Sequence, residues 1–241
     1  MNLVIDQGNT VVKFAVFSDG ELIKRFVEND LKLEILQRIF GEFPSIDKSI
    51  LSSVSEYYEN IPLFLTSASH FIKLDSRTPI PIINNYSTKD TLGYDRIASA
   101  VGAHTIFPLT NVLVIDAGTA ITIDLITTKG VFMGGNISPG LDLRFKSLNQ
   151  FTKKLPLIKK KEEFELLGST TNDAILSGVM NAVIFELDGY ITELKNKYPD
   201  LKTVLTGGDM NFFAEKLKNV IFVDSNLNLS GLNRILEYNA K

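Results

Sequence analysis

Residues 4–10 read VIDQGNT, and residues 114–120 read VIDAGTA. In both, an apolar run with the character of a buried strand ends on an ionised carboxylate, Asp6 or Asp116, and passes at once into Gly and Thr. The agreement extends past the motif. Asp6 precedes Gly20 of an SDG turn by 14 residues, and Asp116 precedes Gly130 of a TTKG turn by the same 14. Each copy is therefore expected to open a three-stranded antiparallel meander, with Asp-x-Gly at its first turn and a Gly-bearing hairpin at its second.

The copies stay in step downstream. In the first, a helical pattern near 31–40 leads to a β run at 49–54, a helix around 56–66, the strand HFIKLDS at 70–76 and a helix from about 95 to 106. In the second, a long helix at 173–197 leads to TVLTGGD at 203–209, a helix at 211–218, the strand NVIFVDS at 219–225 and a last helix at about 229–239. Both halves run βββ, α, β, α, β, α, and even the fifth strands finish alike, LDS against VDS. The middle of 78–93 reads as loop. The stretch from about 134 to 172 has no counterpart in the first half, so it reads as an insertion. The expected organisation is two domains, 1–108 and 109–241.

Composition narrows the function classes. A 44% hydrophobic chain of 241 residues can fill a real core. Its net charge of −3, from 25 basic and 28 acidic residues, supplies no bulk field for nucleic acid or a membrane surface, so neither is expected as a partner. With no Cys there is no thiolate nucleophile and no Cys-ligated metal, and a cytoplasmic location is expected. His70 and His104 stand apart from one another and read as satisfied structural histidines. No G-x-x-x-x-G-K-[ST] occurs. The stretch KKKEEFE at 159–165 changes sign at once and reads as a solvated surface.

The repeated turn carries the chemistry. A turn with Gly at its tip aims backbone N–H groups outward and has no Cβ to hold a ligand off, which makes a small anion-binding concavity. Two facing turns could cradle a polyphosphate, and a carboxylate in each would attract the cation that a polyphosphate brings. The plain alternative is that both Asp residues only cap ordinary turns.

With these residues in view, the chain resembles the superfamily of acetate and sugar kinases, heat-shock cognate ATPases and actin, and within it the type III pantothenate kinases. Five blocks carry the resemblance in family order: DQGNTVVK at 6–13, LGYDRIASAVGA at 92–103, DAGTAITID at 116–124, GGNISPG at 134–140 and TTNDAILSG at 170–178. The resemblance implies an α/β chain with a duplicated RNase H-like (actin-like ATPase) fold, two βββαβα-type domains with an ATP cleft between them.

It also implies an activity: ATP-dependent phosphorylation of pantothenate to 4'-phosphopantothenate, the first step of coenzyme A biosynthesis. Asp95 matches the family's proton acceptor, with Tyr86, Gly93, Tyr94, Arg96 and Thr171 as pantothenate contacts. Asp6, Gln7, Gly8, Asn9, Thr10, Val11, Val12 and Lys13 resemble the ATP phosphate site, with Asp6 meeting Mg2+. Lys13 reads equally as a phosphate-facing cation or a solvent-facing strand residue. Asp116 matches the family's ligand for a monovalent cation, K+ or NH4+, and Thr119 its ATP contact. Gly207 and Gly208 resemble the approach to adenosine. Thr170 stands beside Thr171, and the spacing to Ala174 favours Thr171. Asp124 reads either as support for the site or as the end of its strand. A homodimer with the active site near its interface is implied as well. The rival reading is a catalytically silent transcription accessory protein of the same fold.

Overall fold

A computed structural model describes residues 1–54 and 56–240. In chain order the elements are β1 (Asn2–Gln7), β2 (Val12–Ser18), β3 (Glu21–Glu28), α1 (Leu33–Glu42), β4 (Lys48–Ser53), α2 (Asn60–Ala68), β5 (His70–Lys73), β6 (Ile83–Asn84) and α3 (Tyr94–Ile106). There follow β7 (Val112–Ala117), β8 (Ala120–Ile126), β9 (Val131–Pro139), α4 (Leu141–Phe151), α5 (Thr171–Lys197), β10 (Lys202–Thr206), α6 (Met210–Lys216), β11 (Phe222–Val223) and α7 (Leu227–Asn239). One compact unit holds Met1–Pro108, Gly130–Phe132 and the stretch from Asn226; the other holds Leu109–Lys129 and Met133–Ser225.

In the first unit the sheet runs β3-β2-β1-β4-β5, with β1 antiparallel to β2 and parallel to β4. Side chains alternate along β1. Leu3 and Ile5 enter a core with Phe14, Val16, Leu36, Ile39 and Leu65. Asn2, Val4 and Asp6 take the opposite face, where α7 packs on β1 and β4. Asn2 Nδ2 donates to Asn233 Oδ1 of α7 at 2.7 Å. The helices α3 and α7 meet at backbone distance. A Cβ on Gly231 would lie 1.8 Å from the Ala98 carbonyl oxygen, and one on Gly102 would lie 2.4 Å from that of Leu227. Short β6 lies parallel to Val131–Phe132, which belong to the same unit.

The second unit repeats the order as β9-β8-β7-β10-β11, again with the first strand antiparallel to the second and parallel to the fourth. Leu113, Ile115, Ile121 and Ile123 form a core with one stripe of α5: Ile175, Val179, Met180, Val183, Leu187 and Ile191. Asp116 therefore lies on the opposite face, as Asp6 does. α5 is well terminated. Its N-cap Thr170 accepts from the Asp173 N–H at 3.2 Å, and Lys195 and Lys197 meet the negative end of the helix dipole. α5 is also long and apolar enough to cross a membrane by length and composition, yet half of its apolar window is buried inside the protein.

The duplication holds at the level of register. Asp6 pairs with Lys13 on β2 and Ser52 on β4; Asp116 pairs with Thr122 on β8 and Thr206 on β10. Gly20 and Gly130, in the matched hairpin turns, both have positive φ, 84° and 69°. One expected match is out of step. Leu74 N–H donates to Leu51, and Asp224 N–H to Leu205. The ladder thus aligns Leu74 with Asp224, and LDS and VDS are displaced by one residue.

Other differences have local causes. GGNISPG, expected to open the insertion, lies in β9 as far as Pro139 instead. Gly134, Gly135 and Pro139 hide the strand pattern, and Gly135 is required there because a Cβ would sit 1.7 Å from the Ile123 carbonyl oxygen on β8. The insertion also contains α4, whose Leu141, Phe145 and Leu148 share the core-facing side. The expected strand at 219–225 shrinks to Phe222–Val223, and the expected loop at 78–93 holds β6 and a single 3-10 turn at Lys89–Thr91.

The α3–α7 contact sets a test of packing. Gly231→Ala should lower stability by about 1–3 kcal/mol through overpacking. Urea unfolding reads it as a lower midpoint; an unchanged midpoint would mean that the two helices do not meet as described.

Candidate active site

The first-unit turn begins where β1 ends. Four residues, Gly8 to Val11, join β1 to β2, and the Gly8 N–H donates to the Val11 carbonyl at 3.1 Å. Asn9 and Thr10 are exposed at the tip, while Val12 is a core side chain that can offer a ligand only its main chain. Gln7 is held from the next strand. Ser53 Oγ donates to its Oε1 at 2.9 Å, and its carbonyl accepts the Val54 N–H at 3.1 Å. Lys13 stands opposite Asp6 and is half-buried.

The second-unit turn is tighter. Only Gly118 and Thr119 separate β7 from β8, and the Gly118 N–H donates to the Ala120 carbonyl at 3.1 Å. Two backbone segments close in behind it. The Gly140 N–H donates to the Thr119 carbonyl at 3.0 Å, and a Cβ on Gly140 would lie 2.1 Å from the Gly118 carbonyl oxygen. Gly207 approaches Asp116 so closely that a Cβ would lie 2.5 Å from its Oδ1. Gly208 is exposed, and the Asp209 N–H donates to the Ala117 carbonyl at 2.9 Å. Asp124 is buried within β8, three residues short of the start of the TTKG turn, so it does not end its strand.

The glycines at the two turn tips differ from those behind them. A Cβ on Gly8 would find nothing closer than Val11 O at 3.5 Å, and one on Gly118 nothing closer than Asp116 Oδ1 at 3.6 Å. Neither has a positive φ. Packing and backbone conformation would both accept alanine there.

Tyr86, Gly93, Tyr94, Asp95 and Arg96 are brought together in the first unit. Asp95 lies in the first turn of α3, half-buried, and its Oδ1 accepts the Arg96 N–H at 2.8 Å. The carboxylate folds back over Gly93, where a Cβ would lie 2.4 Å from Oδ1. Arg96 is only 5% exposed. Its guanidinium stacks 5.4 Å from the Tyr86 ring and 6.0 Å from the Phe132 ring. This is a more enclosed arginine than an anion-facing side chain on an open loop. Thr171 lies in the second unit, exposed, as the first residue of α5, and the neighbouring Thr170 is occupied as its N-cap.

Several participants escaped the sequence reading. Phe132 had no signal beyond an apolar strand position. Gly140 closed a quoted block, GGNISPG, without a role of its own. Its segment is braced: Arg144 Nε donates to the Pro139 carbonyl at 2.7 Å, and Glu186 accepts from both Arg144 and Ser138 at 2.5 Å. The KKKEEFE stretch is more than a solvated surface. Lys160 pairs with Asp209, and Phe164 packs on Phe212 at 6.2 Å. His104 is not a satisfied histidine either, since its buried Nδ1 has no partner among the described residues.

The comparisons with known proteins agree with one another. The family model for type III pantothenate kinase matches residues 2–193. A curated type III pantothenate kinase from Phocaeicola vulgatus is 46% identical over 242 aligned positions, covering 100% of each chain. Among solved structures, a protein described as a Baf family transcriptional activator from Campylobacter jejuni is 28% identical, with 99% of this chain and 98% of that chain covered and a TM-score of 0.62. A glucokinase from an Antarctic psychrotroph, 13% identical with 99% of each chain covered, superimposes with a TM-score of 0.54. That likeness is one of fold alone, the fold shared by sugar kinases and actin-like ATPases.

The packing of His104 near Gly130 gives a pH dependence. Burial holds the imidazole below its ordinary value of 6.5 and keeps it neutral in the folded chain. Between that lowered value and 6.5 the unfolded chain binds the extra proton, so stability is complete above 6.5 and is lost as pH falls through the window. Urea midpoints at about pH 7.5 and about pH 5.5 should therefore differ less in His104→Leu than in the parent; equal slopes would remove His104 as the cause.

Proposed function

This chain belongs to the type III pantothenate kinase family, and we propose that the residues gathered at its two turns and at the start of α3 carry out that family's reaction. The reaction transfers a phosphoryl group from ATP to pantothenate, giving 4'-phosphopantothenate for coenzyme A biosynthesis. The family is one of enzymes, so a catalytically silent accessory protein is not favoured.

The observation that carries the assignment of roles is the pair of unforced glycines. Gly8 and Gly118 are required neither by packing nor by φ, so what they spare is space on the outer side of each turn. The Gly8 and Gly118 N–H groups close their own turns, so the donors turned to phosphate oxygens would be those of Asn9, Thr10 and Thr119. Gly8 to Val11 and Lys13 would contact the phosphates, as would Thr119, with Gly207 and Gly208 toward adenosine. Asp6 would meet the divalent ion. Among the described residues no cluster of three acidic or histidine ligands exists, which suits an ion carried mainly by phosphate oxygens and one carboxylate. That ion supplies charge neutralisation at the transferred group. Asp116 would hold a monovalent cation, K+ or NH4+, with Gly207 closing the space behind its carboxylate.

Asp95 would accept the hydroxyl proton of pantothenate. It lies beside Arg96, whose guanidinium the two rings hold in one place, and Tyr86, Gly93, Tyr94 and Thr171 complete the substrate contacts. Phosphoryl transfer asks mainly for positioning and charge balance, and a fixed base meets the first of these. A homodimer is part of the reading. Met133 and Ile137 on β9, Leu143 and Phe151 on α4, and Phe185 on α5 are large apolar side chains left exposed on the second unit.

Turnover assays test the roles together. Asp95→Asn should lose at least about 10²-fold in kcat. Gly8→Ala and Gly118→Ala should keep the parent Tm while raising the KM for ATP. Replacing K+ by Na+ should slow the parent and leave Asp116→Asn indifferent. Full activity of Asp95→Asn would discard the base assignment, and an unchanged KM in both glycine variants would discard the phosphate turns.

Sedimentation should give a dimer that Ile137→Lys with Phe185→Lys converts to an inactive monomer. A monomeric parent with full turnover would remove the dimer from the reading.

A further inference from the structure

Asn228 stands in the first turn of α7 and is 8% exposed. Its Nδ2 donates to the main-chain carbonyl of Asp95 at 3.3 Å. Its Oδ1 is buried and has no hydrogen-bond partner among the described residues. A buried amide with half of its hydrogen bonding unmet is costly, and an apolar side chain of similar size would cost less. A site that existed only for packing has no use for it.

What the amide does becomes clear from the helix that carries it. α7 is fixed to α3 by the backbone contacts at Gly102 and Gly231, and to β1 by the bond from Asn2 to Asn233. It thus touches both the strand that carries Asp6 near its end and the helix that carries Asp95 in its first turn. Asn228 supplies a polar link from α7 to the first turn of α3.

We propose that Asn228 is a positioning residue for the base. By holding the Asp95 carbonyl it fixes the first turn of α3, and with it the carboxylate folded over Gly93, in one relation to β1 and its phosphate turn. The donor nitrogen performs the positioning; the orphaned oxygen is the cost of using an amide. This inference rests on the reading of Asp95 as the base. In a reaction governed by alignment, a misplacement of about 1 Å costs on the order of 10²-fold in rate.

The test uses Asn228→Leu and Asn228→Asp in the full chain, with kcat, both KM values and Tm measured beside Asp95→Asn. Leu removes the donor and the orphaned acceptor together; Asp, ionised at the assay pH, keeps the shape but cannot donate. Both variants are expected to lose about 10- to 100-fold in kcat with little change in either KM, while the Leu variant keeps or raises the parent Tm. A residue that merely packs would give the opposite pattern, a lower Tm with kcat retained per folded molecule, and that result overturns the proposal. So does a kcat within about twofold of the parent in the Asp variant, should the Leu variant fail to fold. If Asp95→Asn is inactive while both Asn228 variants are normal, the positioning role falls alone; if Asp95→Asn is fully active, the base reading falls and takes this inference with it.

Discussion

A strand buried on both faces can carry a charge along its length only where that charge has a partner, because an unpaired carboxylate in that setting costs far more than packing returns. β1 and β7 are such strands, each flanked by an antiparallel and a parallel neighbour. Their middle positions are Leu3, Val4 and Ile5 in one and Leu113, Val114 and Ile115 in the other, all at most 2% exposed. A carboxylate that is to meet a ligand belongs where the strand runs out of cover. Asp6 and Asp116 stand at that point, beside the end of the parallel partner strand, where open α/β sheets place their ligands. The strand therefore sets where charge can be used, and the turn that follows sets what the charge can meet.

The two copies share a topology and differ in what they ask of the turn. In the first unit four residues give a longer loop with an exposed Asn and Thr at its tip, steadied from β4 through Ser53 and Gln7. In the second only two residues turn, and the support comes from farther along the chain. β9 and α4 bring Gly140 against Thr119, and Arg144 and Glu186 brace that segment from α4 and α5. The inserted segment is what braces the second turn. A gene-level duplication predicts two equal turns, whereas unequal turns are what an asymmetric ligand such as a nucleotide would require.

Much of this was legible in the sequence because it rests on short-range signals. The repeat of Asp-x-Gly and of a Gly hairpin 14 residues on fixed both meanders, and α5 was legible as a long helical pattern at 173–197. What stayed hidden depends on backbones that meet across long separations. Gly135 against Ile123 and Gly140 against Gly118 turn a stretch that looks like loop into a strand and a brace. Phe132 beside Arg96, and Asn228 beside Asp95, are 36 and 133 residues from their partners, and no local pattern marks them. The one-residue slip between LDS and VDS shows the opposite risk, a likeness of sequence that the hydrogen-bond ladder does not share.

Glycine makes the distinction sharpest. In the sequence Gly8, Gly118, Gly140, Gly207 and Gly231 look alike, small residues near turns or in a helix. In the folded chain they divide into two kinds. Gly140, Gly207 and Gly231 are demanded by neighbours within 2.5 Å of where a Cβ would stand, so the fold itself accounts for them. Gly8 and Gly118 have only ordinary contacts and no conformational need. A turn glycine that neither packing nor conformation demands leaves the backbone open to a molecule outside the polypeptide. Beside Asp6 and Asp116, the occupant proposed for that opening is an anion with its cations.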